Sequence, residues 1–306
     1  MAGTSGPPCG QDPTCLGRCA PGRWALTRLG AVLDGRAAGA PPRTPPRPLA
    51  ALPWVLGALG ILSQIIWVLV PEEARDTTTI ASVLLLACAG AAHATVHRGA
   101  WWALRLYGAT AGIGLLVEAL GTGTGFPFGA YDYGTRLGPM LLDVPLLIPL
   151  AWCMAAYPML LLARRLSERR WQVTLIGAWT ITAWDLFLDP QMVSEGHWAF
   201  ADPTPALPGS PGIPLTNYAG WFATGLLIFW VLDHLPRTTA DDRMPAVLML
   251  WMYASNVMAA AVFFDRPAVA LWGALAMGVT VVPWALRVVP ELIGSPRDHP
   301  APAGRT

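Results

Sequence analysis

The sequence predicts an all-α, polytopic integral membrane protein with about eight transmembrane helices and both termini in the cytoplasm. Three observations predict this fold class: an apolar composition, a series of apolar segments of membrane-spanning length, and an uneven distribution of arginine. Of the 306 residues, 54% are hydrophobic and 13% are charged, against about 25% charged residues in ordinary soluble domains. A chain of this composition is typical of proteins that fold in a lipid bilayer.

Apolar segments follow one another along most of the chain, and each is close to the ~20 residues that cross a bilayer as a helix. They cover residues 51–70, 77–97, 101–120, 138–163, 171–189, 214–235, 243–264 and 267–289. Residues 51–290 are therefore predicted to form one transmembrane domain. Residues 1–50 are rich in Pro, Gly and Arg and are predicted to be a disordered cytoplasmic tail, as are residues 291–306.

Arginine predicts the orientation of the chain. All 20 basic residues are arginine, which is typical of a GC-rich bacterial genome. With the N-terminus inside, 17 of the 20 lie on the cytoplasmic side, and the outer side holds Arg75, Arg136 and Arg266. Positively charged short loops stay in the cytoplasm, so we expect a multi-pass protein of the cell membrane. A net charge of +1 without a basic stripe predicts no nucleic-acid partner.

Carboxylates are predicted to converge on the outer side of the membrane. Glu118 ends the third span, Asp143 lies just over one turn into the fourth, and Asp185 and Asp189 end the fifth, four residues apart on one helical face. Such groups are costly to bury unless they have a partner or a function. Lost hydration and mutual repulsion disfavour charge on all of them, so one is expected to stay protonated and to act as a general acid.

Two long connections lie on the same side as these carboxylates. Residues 121–137 join the third and fourth spans, and residues 190–213 join the fifth and sixth. Asn217 and Trp221 then begin the sixth span, four residues apart and on one face. Because long loops in a compact domain are commonly functional, both connections are predicted to build the site.

Aromatic residues gather in the same region. Their ring faces can stabilise a carbocation as they do other cations, but aromatic residues also collect at membrane interfaces for their mixed polarity. The candidates for substrate binding are Phe126, Phe128, Tyr131, Tyr133, Trp152, Trp184, Trp198 and Trp221. The sequence leaves both interpretations open for these rings.

Parts of the sequence also allow two other kinds of site. The segment GTGTGFPFG (121–129) lacks the Lys-Ser/Thr of a phosphate-binding loop, so a close-packed turn is predicted. A hard cation held by Asp143, Asp185, Asp189 and His197 is an alternative that clustered carboxylates allow, but the doubled Asp-rich motif of membrane prenyltransferases is absent. No metal and no cofactor is therefore predicted.

Four segments carry a resemblance to a known family. They are GTGTGFPFGAYDY, LGPMLLDVPLLIPLAW, AWDLFLDPQMVSEGHW and GIPLTNYAGW, in this order on the third to sixth spans. They resemble the carotenoid biosynthesis membrane family, which includes bacterial and archaeal carotenoid hydratases, and the resemblance extends over about residues 51–290. It implies hydration of the terminal carbon–carbon double bond of a linear carotenoid end group, giving a tertiary alcohol without nicotinamide or flavin.

The resemblance also implies roles for the polar residues. Glu118 or Asp143 would protonate the less substituted alkene carbon, and Asp185, Asp189 and Asn217 would hold the proton network and the water that captures the tertiary cation. The expected partners are a linear carotenoid, water and the lipid bilayer, and other carotenoid pathway enzymes are further candidate partners. Two further classes stay open: a metal-dependent prenyl transferase or end-group cyclase, and a non-catalytic carotenoid-binding or transport protein whose acids relay protons.

Overall fold

Long helices make up most of the computed structural model, which describes residues 47–293. The eight long helices of this range are α1 (Arg47–Trp67), α2 (Glu72–Arg98), α3 (Ala100–Thr124), α4 (Leu147–Leu166), α5 (Arg170–Ser194), α6 (Leu215–Leu232), α7 (Arg243–Met258) and α8 (Pro267–Ile293). A π-helical turn, Ala259–Phe263, continues α7. The bundle thus begins and ends a few residues outside the predicted domain bounds, and the remainder of both predicted tails lies outside the described residues.

The predicted polytopic membrane architecture is confirmed. Within the described range, every long helix except α5 is long and apolar enough to cross a membrane, which gives seven candidate spans. The exception, α5, carries Asp185 and Asp189. The core of the bundle is α4, because 78% of its most apolar 18-residue window is buried, against 22–44% in the other six spans.

Glycines let α5 pack closely against its neighbours. A Cβ atom at Gly225 of α6 would lie 2.9 Å from Ala178 Cα on α5, and one at Gly273 of α8 would overlap the Phe187 ring. Small residues at such crossings are typical of membrane helix packing, where close backbone approach supplies the attraction. The acidic end of α5 is therefore held tightly inside the bundle.

The two long connections meet each other through short strands, which the sequence analysis did not predict. The antiparallel pairs are β1 (Tyr131–Tyr133) with β4 (Trp198–Phe200), β2 (Met140–Leu141) with β3 (Val144–Pro145), and β5 (Ala206–Leu207) with β6 (Ser210–Pro214). In the first pair, Tyr131 lies opposite Phe200 and Tyr133 lies opposite Trp198. This pairing fixes the loop after α3 against the loop after α5.

The predicted start of the fourth span at residue 138 is wrong. Strands β2 and β3 form a hairpin whose turn residues, Leu142 and Asp143, have φ values of 55° and 60°, as in a type I′ turn. Pro145 disfavours helical geometry in the residue before it, and α4 begins only at Leu147. Asp143 is consequently exposed at a hairpin turn and does not lie within a helix.

Ion pairs mark both ends of the bundle. At the end that holds β1 and β4, Arg75 pairs with Glu195 at 3.1 Å. At the opposite end, Arg164 Nε donates to Asp233 Oδ1 at 2.8 Å. Arg75, predicted to lie outside, and Arg164, predicted to lie inside, are thus at different ends of the bundle. Which end faces the cytoplasm stays a prediction.

Candidate active site

Glu118 is buried near the end of α3 and accepts hydrogen bonds from three side chains. The hydroxyls of Tyr131 and Tyr133 donate to Oε2 at 2.5 and 2.8 Å, and Trp152 Nε1 donates to Oε1 at 3.0 Å. A carboxylate offers about four acceptor positions, so the described side chains leave one position on Oε1. Glu118 also lines a cavity, where that position can receive a water molecule.

The tyrosine donors owe their positions to β1. Residues two apart in a strand point to the same face, and the pairing of β1 with β4 turns that face toward Glu118. Burial, and after it the neighbouring Glu118 carboxyl group, raise the pKa of both the Tyr131 and the Tyr133 hydroxyl above the ordinary tyrosine value. Both phenols therefore remain protonated and act as hydrogen-bond donors.

Asp185 and Asp189 lie one turn apart on α5 and share the side-chain amide of Asn217. Asn217 Nδ2 donates to Asp185 Oδ2 at 2.9 Å and also to Asp189 Oδ2, and Trp198 Nε1 donates to Asp189 Oδ1 at 3.1 Å. All four groups are buried. Two adjacent carboxyl groups in such surroundings favour a state in which they share one proton, because two like charges repel each other strongly there.

The cavity beside these groups has a volume of about 290 Å³ and is mostly apolar. Its acidic members are Glu118 and Asp189, which lie near β1 together with Asn217. It extends between α1, α2 and α7 to a lateral mouth, where the exposed lining residues are Ile65, Leu69, Met258 and Phe263. Since this rim is apolar and lies on candidate membrane-spanning helices, the mouth suits an apolar ligand.

Comparison with known proteins adds to this geometry. A family model described as "Carotenoid biosynthesis protein" matches residues 78–283. The chain belongs to this carotenoid biosynthesis family. The bisanhydrobacterioruberin hydratase of Haloarcula japonica is 35% identical over 151 residues, which cover 44% of this chain and 50% of that protein. The chain therefore spans about half the length of this relative. No solved structure matches it.

The carotenoid family member brings most of the predicted acid cluster together. Glu118, Asp185, Asp189 and Asn217 lie at one end of the bundle, as their positions at helix ends predict. Asp143 does not join them, because it lies at the exposed hairpin turn described above.

Most of the predicted aromatic residues line the cavity of this family member. The indoles of Trp152 and Trp221 stack, and Trp184 meets Trp221 edge-on with centroids 6.2 Å apart. Phe126 is 69% exposed and lies outside the lining. The cavity-lining members of the predicted set are Phe128, Tyr131, Tyr133, Trp152, Trp184, Trp198 and Trp221.

The cation site considered in the sequence analysis is not assembled. Among the residues that the structure describes, no three His, Cys, Asp or Glu side chains form a set of metal ligands. His197 is buried with Nε2 3.7 Å from Asp76 Oδ1, and Asp143 is exposed on its hairpin. Two of the four ligands considered thus lie away from the aspartate pair.

Sequence reasoning missed several roles in this site. Tyr131, Tyr133, Trp152 and Trp198 were assigned to substrate binding alone, whereas each donates a hydrogen bond to a buried carboxyl group. The alternation of two tyrosines with Asp132 is a strand pattern and could have indicated a shared face. Helices α1 and α7 also line the cavity, and Trp251 Nε1 of α7 donates to Gln64 Oε1 of α1 at 2.6 Å. No local sequence pattern indicates this contact between the two helices.

Proposed function

We propose that this carotenoid biosynthesis protein is a cofactor-independent hydratase that adds water to the terminal double bond of a linear carotenoid end group. The observation that carries this proposal is the placement of an aspartate pair and Glu118 around one apolar, aromatic-lined cavity. The hydratase from Haloarcula japonica supports the reaction class. The cytoplasmic position of both termini and residence in the cell membrane are parts of the same proposal.

Asp189 is the proton donor in this mechanism. It lines the cavity, whereas Asp185 does not, and Trp198 and Asn217 hold its two oxygens. The shared proton moves from Asp189 to the less substituted alkene carbon. The electron pair of the double bond forms the new C–H bond, which leaves a tertiary carbocation on the neighbouring carbon and both aspartates ionised.

The aromatic walls and Glu118 support that cation. Trp152, Trp184 and Trp221 present indole rings to the cavity, and ring faces attract cations most strongly where water is excluded. The Glu118 carboxylate adds an opposite charge that is already oriented by its donors, so little reorganisation is needed when the cation forms.

Water then completes the addition. A water molecule that donates to the open position on Glu118 Oε1 is oriented with its oxygen toward the cation. Its lone pair forms the C–O bond, and one of its protons passes to Glu118. The product is a tertiary alcohol. Glu118 then releases its proton and the aspartate pair regains one. The net reaction of each cycle is the addition of one water molecule to the alkene.

The cavity also limits what can enter. Its volume of about 290 Å³ is just below the ~300–1,000 Å³ that is usual for small-molecule sites. The end group of a long polyene fits this space, but the whole chain does not. The polyene therefore enters through the lateral mouth with its remaining length in the hydrocarbon region.

Heavy-oxygen water provides the test. The full chain is expressed in a lycopene-producing bacterium that grows in water labelled with ¹⁸O, and the masses of the pigments are measured by mass spectrometry. The expected product carries one labelled oxygen for each hydrated end. Unchanged pigment from well-inserted protein, repeated with several linear carotenoids, would overturn the proposal. A cyclised product without label would instead indicate an end-group cyclase.

A further inference from the structure

The two aspartates of the pair differ in what they face. Asp189 lines the cavity, but Asp185 is fully buried and absent from the lining. Asp185 Oδ2 accepts from Asn217, while Oδ1 has no hydrogen-bond partner among the described residues. A buried carboxyl oxygen without a partner is unusual, and it calls for a physical explanation.

Two buried hydroxyl groups, one of them near the pair, also lack other protein partners. Tyr218 follows Asn217 on α6, and Ser210 lies on β6. Both side chains are buried, and apart from each other neither Tyr218 Oη nor Ser210 Oγ has a hydrogen-bond partner within residues 47–293. The two hydroxyls are neighbours, and Asp185 and Asp189 are close enough to act electrostatically on Tyr218. Neither hydroxyl-bearing residue lines the cavity.

The last member of this group lies next to the protein surface. Ser210 is flanked by Gly209 and Pro211, both of which are exposed. Gly209 ends the two-residue turn between β5 and β6 and has a φ of 74°, a conformation that glycine adopts without strain. Ser210 thus places a buried hydroxyl directly beside an exposed turn.

We propose that Ser210, Tyr218 and Asp185 line a buried water site through which the Asp185–Asp189 pair exchanges its proton with solvent, with Tyr218 as a positioning residue. Buried polar groups without protein partners are usually satisfied by ordered water, which makes about three hydrogen bonds per molecule. The inference rests on the proposed function for its purpose. A polyene end group closes the cavity side to water, so the pair needs a second path to recover the proton that it gives to the alkene.

The proton balance of this path is simple. A hydronium ion at the surface gives a proton to the water chain, the chain passes one to Asp185 Oδ1, and Asp185 passes one to Asp189. Each donor along this path regains a proton from the preceding member. Glu118 releases an equal proton on the other side, so the path consumes nothing.

A single-turnover isotope experiment tests the inference. Protein equilibrated in H₂O is mixed with an excess of D₂O and a linear carotenoid, and the hydrogen added to carbon in the first turnover is identified by mass spectrometry. The wild-type protein exchanges its shared proton quickly and delivers deuterium. Tyr218→Phe and Ser210→Ala slow the exchange, so a several-fold larger fraction of their first product retains hydrogen.

The variants are expected to fold. Tyr218→Phe removes an oxygen that has no protein partner other than the neighbouring Ser210 hydroxyl, so it costs little stability. Tyr253→Phe is the matched control, because it also removes a tyrosine hydroxyl, here on a half-buried side chain outside the cavity lining that donates to Ala274 O at 3.0 Å. A purely structural effect would change the rate without changing the hydrogen-to-deuterium ratio. Equal ratios in wild type, Tyr218→Phe and Tyr253→Phe would overturn the inference.

A second measurement needs no substrate and separates this inference from the proposed function. Infrared spectroscopy follows the protonated carboxyl band of the pair, identified by its loss in Asp185→Asn, as the buffer is changed to D₂O. Tyr218→Phe should slow the band shift by roughly tenfold, which is less than the effect of removing an acid itself. Slowed exchange in a protein that hydrates no carotenoid would leave the path intact and overturn only the function. An unchanged exchange rate would overturn the path.

Discussion

The indole rings of Trp152 and Trp221 stack with their centroids 4.0 Å apart and an interplanar angle of 20°. Trp152 also donates to the Glu118 carboxylate. The stack thus links an aromatic wall of the cavity with the Glu118 carboxyl group. The sequence predicts the helices on which both residues lie. It does not predict the contact between them, which joins α4 to α6.

Replacing Trp221 tests the aromatic wall. Trp221→Leu should lower hydration by about tenfold, because a desolvated cation–π contact contributes ~1–2 kcal/mol, while Trp221→Phe keeps a ring face and most of the activity. Rates are measured on purified protein in lipid nanodiscs with a linear carotenoid. Trp179→Leu, at an indole that is 44% exposed and donates to Ala276 O, is the control. Equal losses in the Phe and Leu variants would assign Trp221 to packing alone.

Replacement by asparagine should abolish most activity at Asp189 but leave it intact at Asp143. Asp189→Asn removes the proposed proton donor, and we expect a loss of ~10²-fold or more in hydration. Asp143→Asn should stay active, because Asp143 is exposed at a positive φ that asparagine adopts readily. Both variants are compared at equal amounts of membrane-inserted protein. Full activity in Asp189→Asn would remove this residue from the mechanism.

A pair of glycines offers a test of the Glu118 donors. A Cβ atom at Gly121 would lie 2.8 Å from Tyr131 Oη and 2.9 Å from the Phe128 ring, whereas Gly123 has nothing within 4 Å. Gly121→Ala should displace Tyr131 from Glu118 and lower the turnover number. Gly123→Ala should preserve activity and stabilise the helix by up to about 1 kcal/mol. Turnover and melting temperature are measured for both; unchanged turnover in Gly121→Ala would contradict the role of Tyr131.

The lateral mouth can be narrowed. Met258 is 48% exposed and lines the mouth, so Met258→Trp should raise the apparent KM for a long carotenoid several-fold while kcat changes little. Leu116→Trp introduces the same ring at a position on α3 that is 66% exposed and outside the cavity lining. Identical KM values in the two variants would show that substrate enters elsewhere.

His197 makes stability depend on pH. Burial lowers the pKa of its imidazole in the folded protein, and Asp76 opposes this shift only in part. The unfolded chain therefore binds the proton more tightly. Stability is fully present above the ordinary histidine pKa of ~6.5 and falls as the pH drops below it. His197→Gln should flatten the fall in melting temperature between about pH 6.5 and 5, while the exposed His234→Gln should not. A slope that persists in His197→Gln would refute this assignment.

The sequence predicts those parts of the structure that depend on local pattern. Helix lengths follow from apolar runs, and the shared face of Asp185 and Asp189 follows from their spacing. The position of Asp143 was mispredicted because a hairpin turn ahead of Pro145 interrupts an otherwise apolar run. The pairing of β1 with β4 and the mouth between α1 and α7 join segments far apart in the chain, and no local periodicity encodes such contacts.

The size and position of the cavity have a consequence for molecules with two identical ends. If one end group fills the space while the rest of the polyene lies among lipid tails, the second end cannot react during the same visit. The half-converted molecule must leave, turn around and return, now carrying a hydroxyl group that holds its finished end at the membrane surface. Singly hydrated pigment should therefore accumulate before the doubly hydrated form, and the lipid around the protein becomes a reservoir of intermediate.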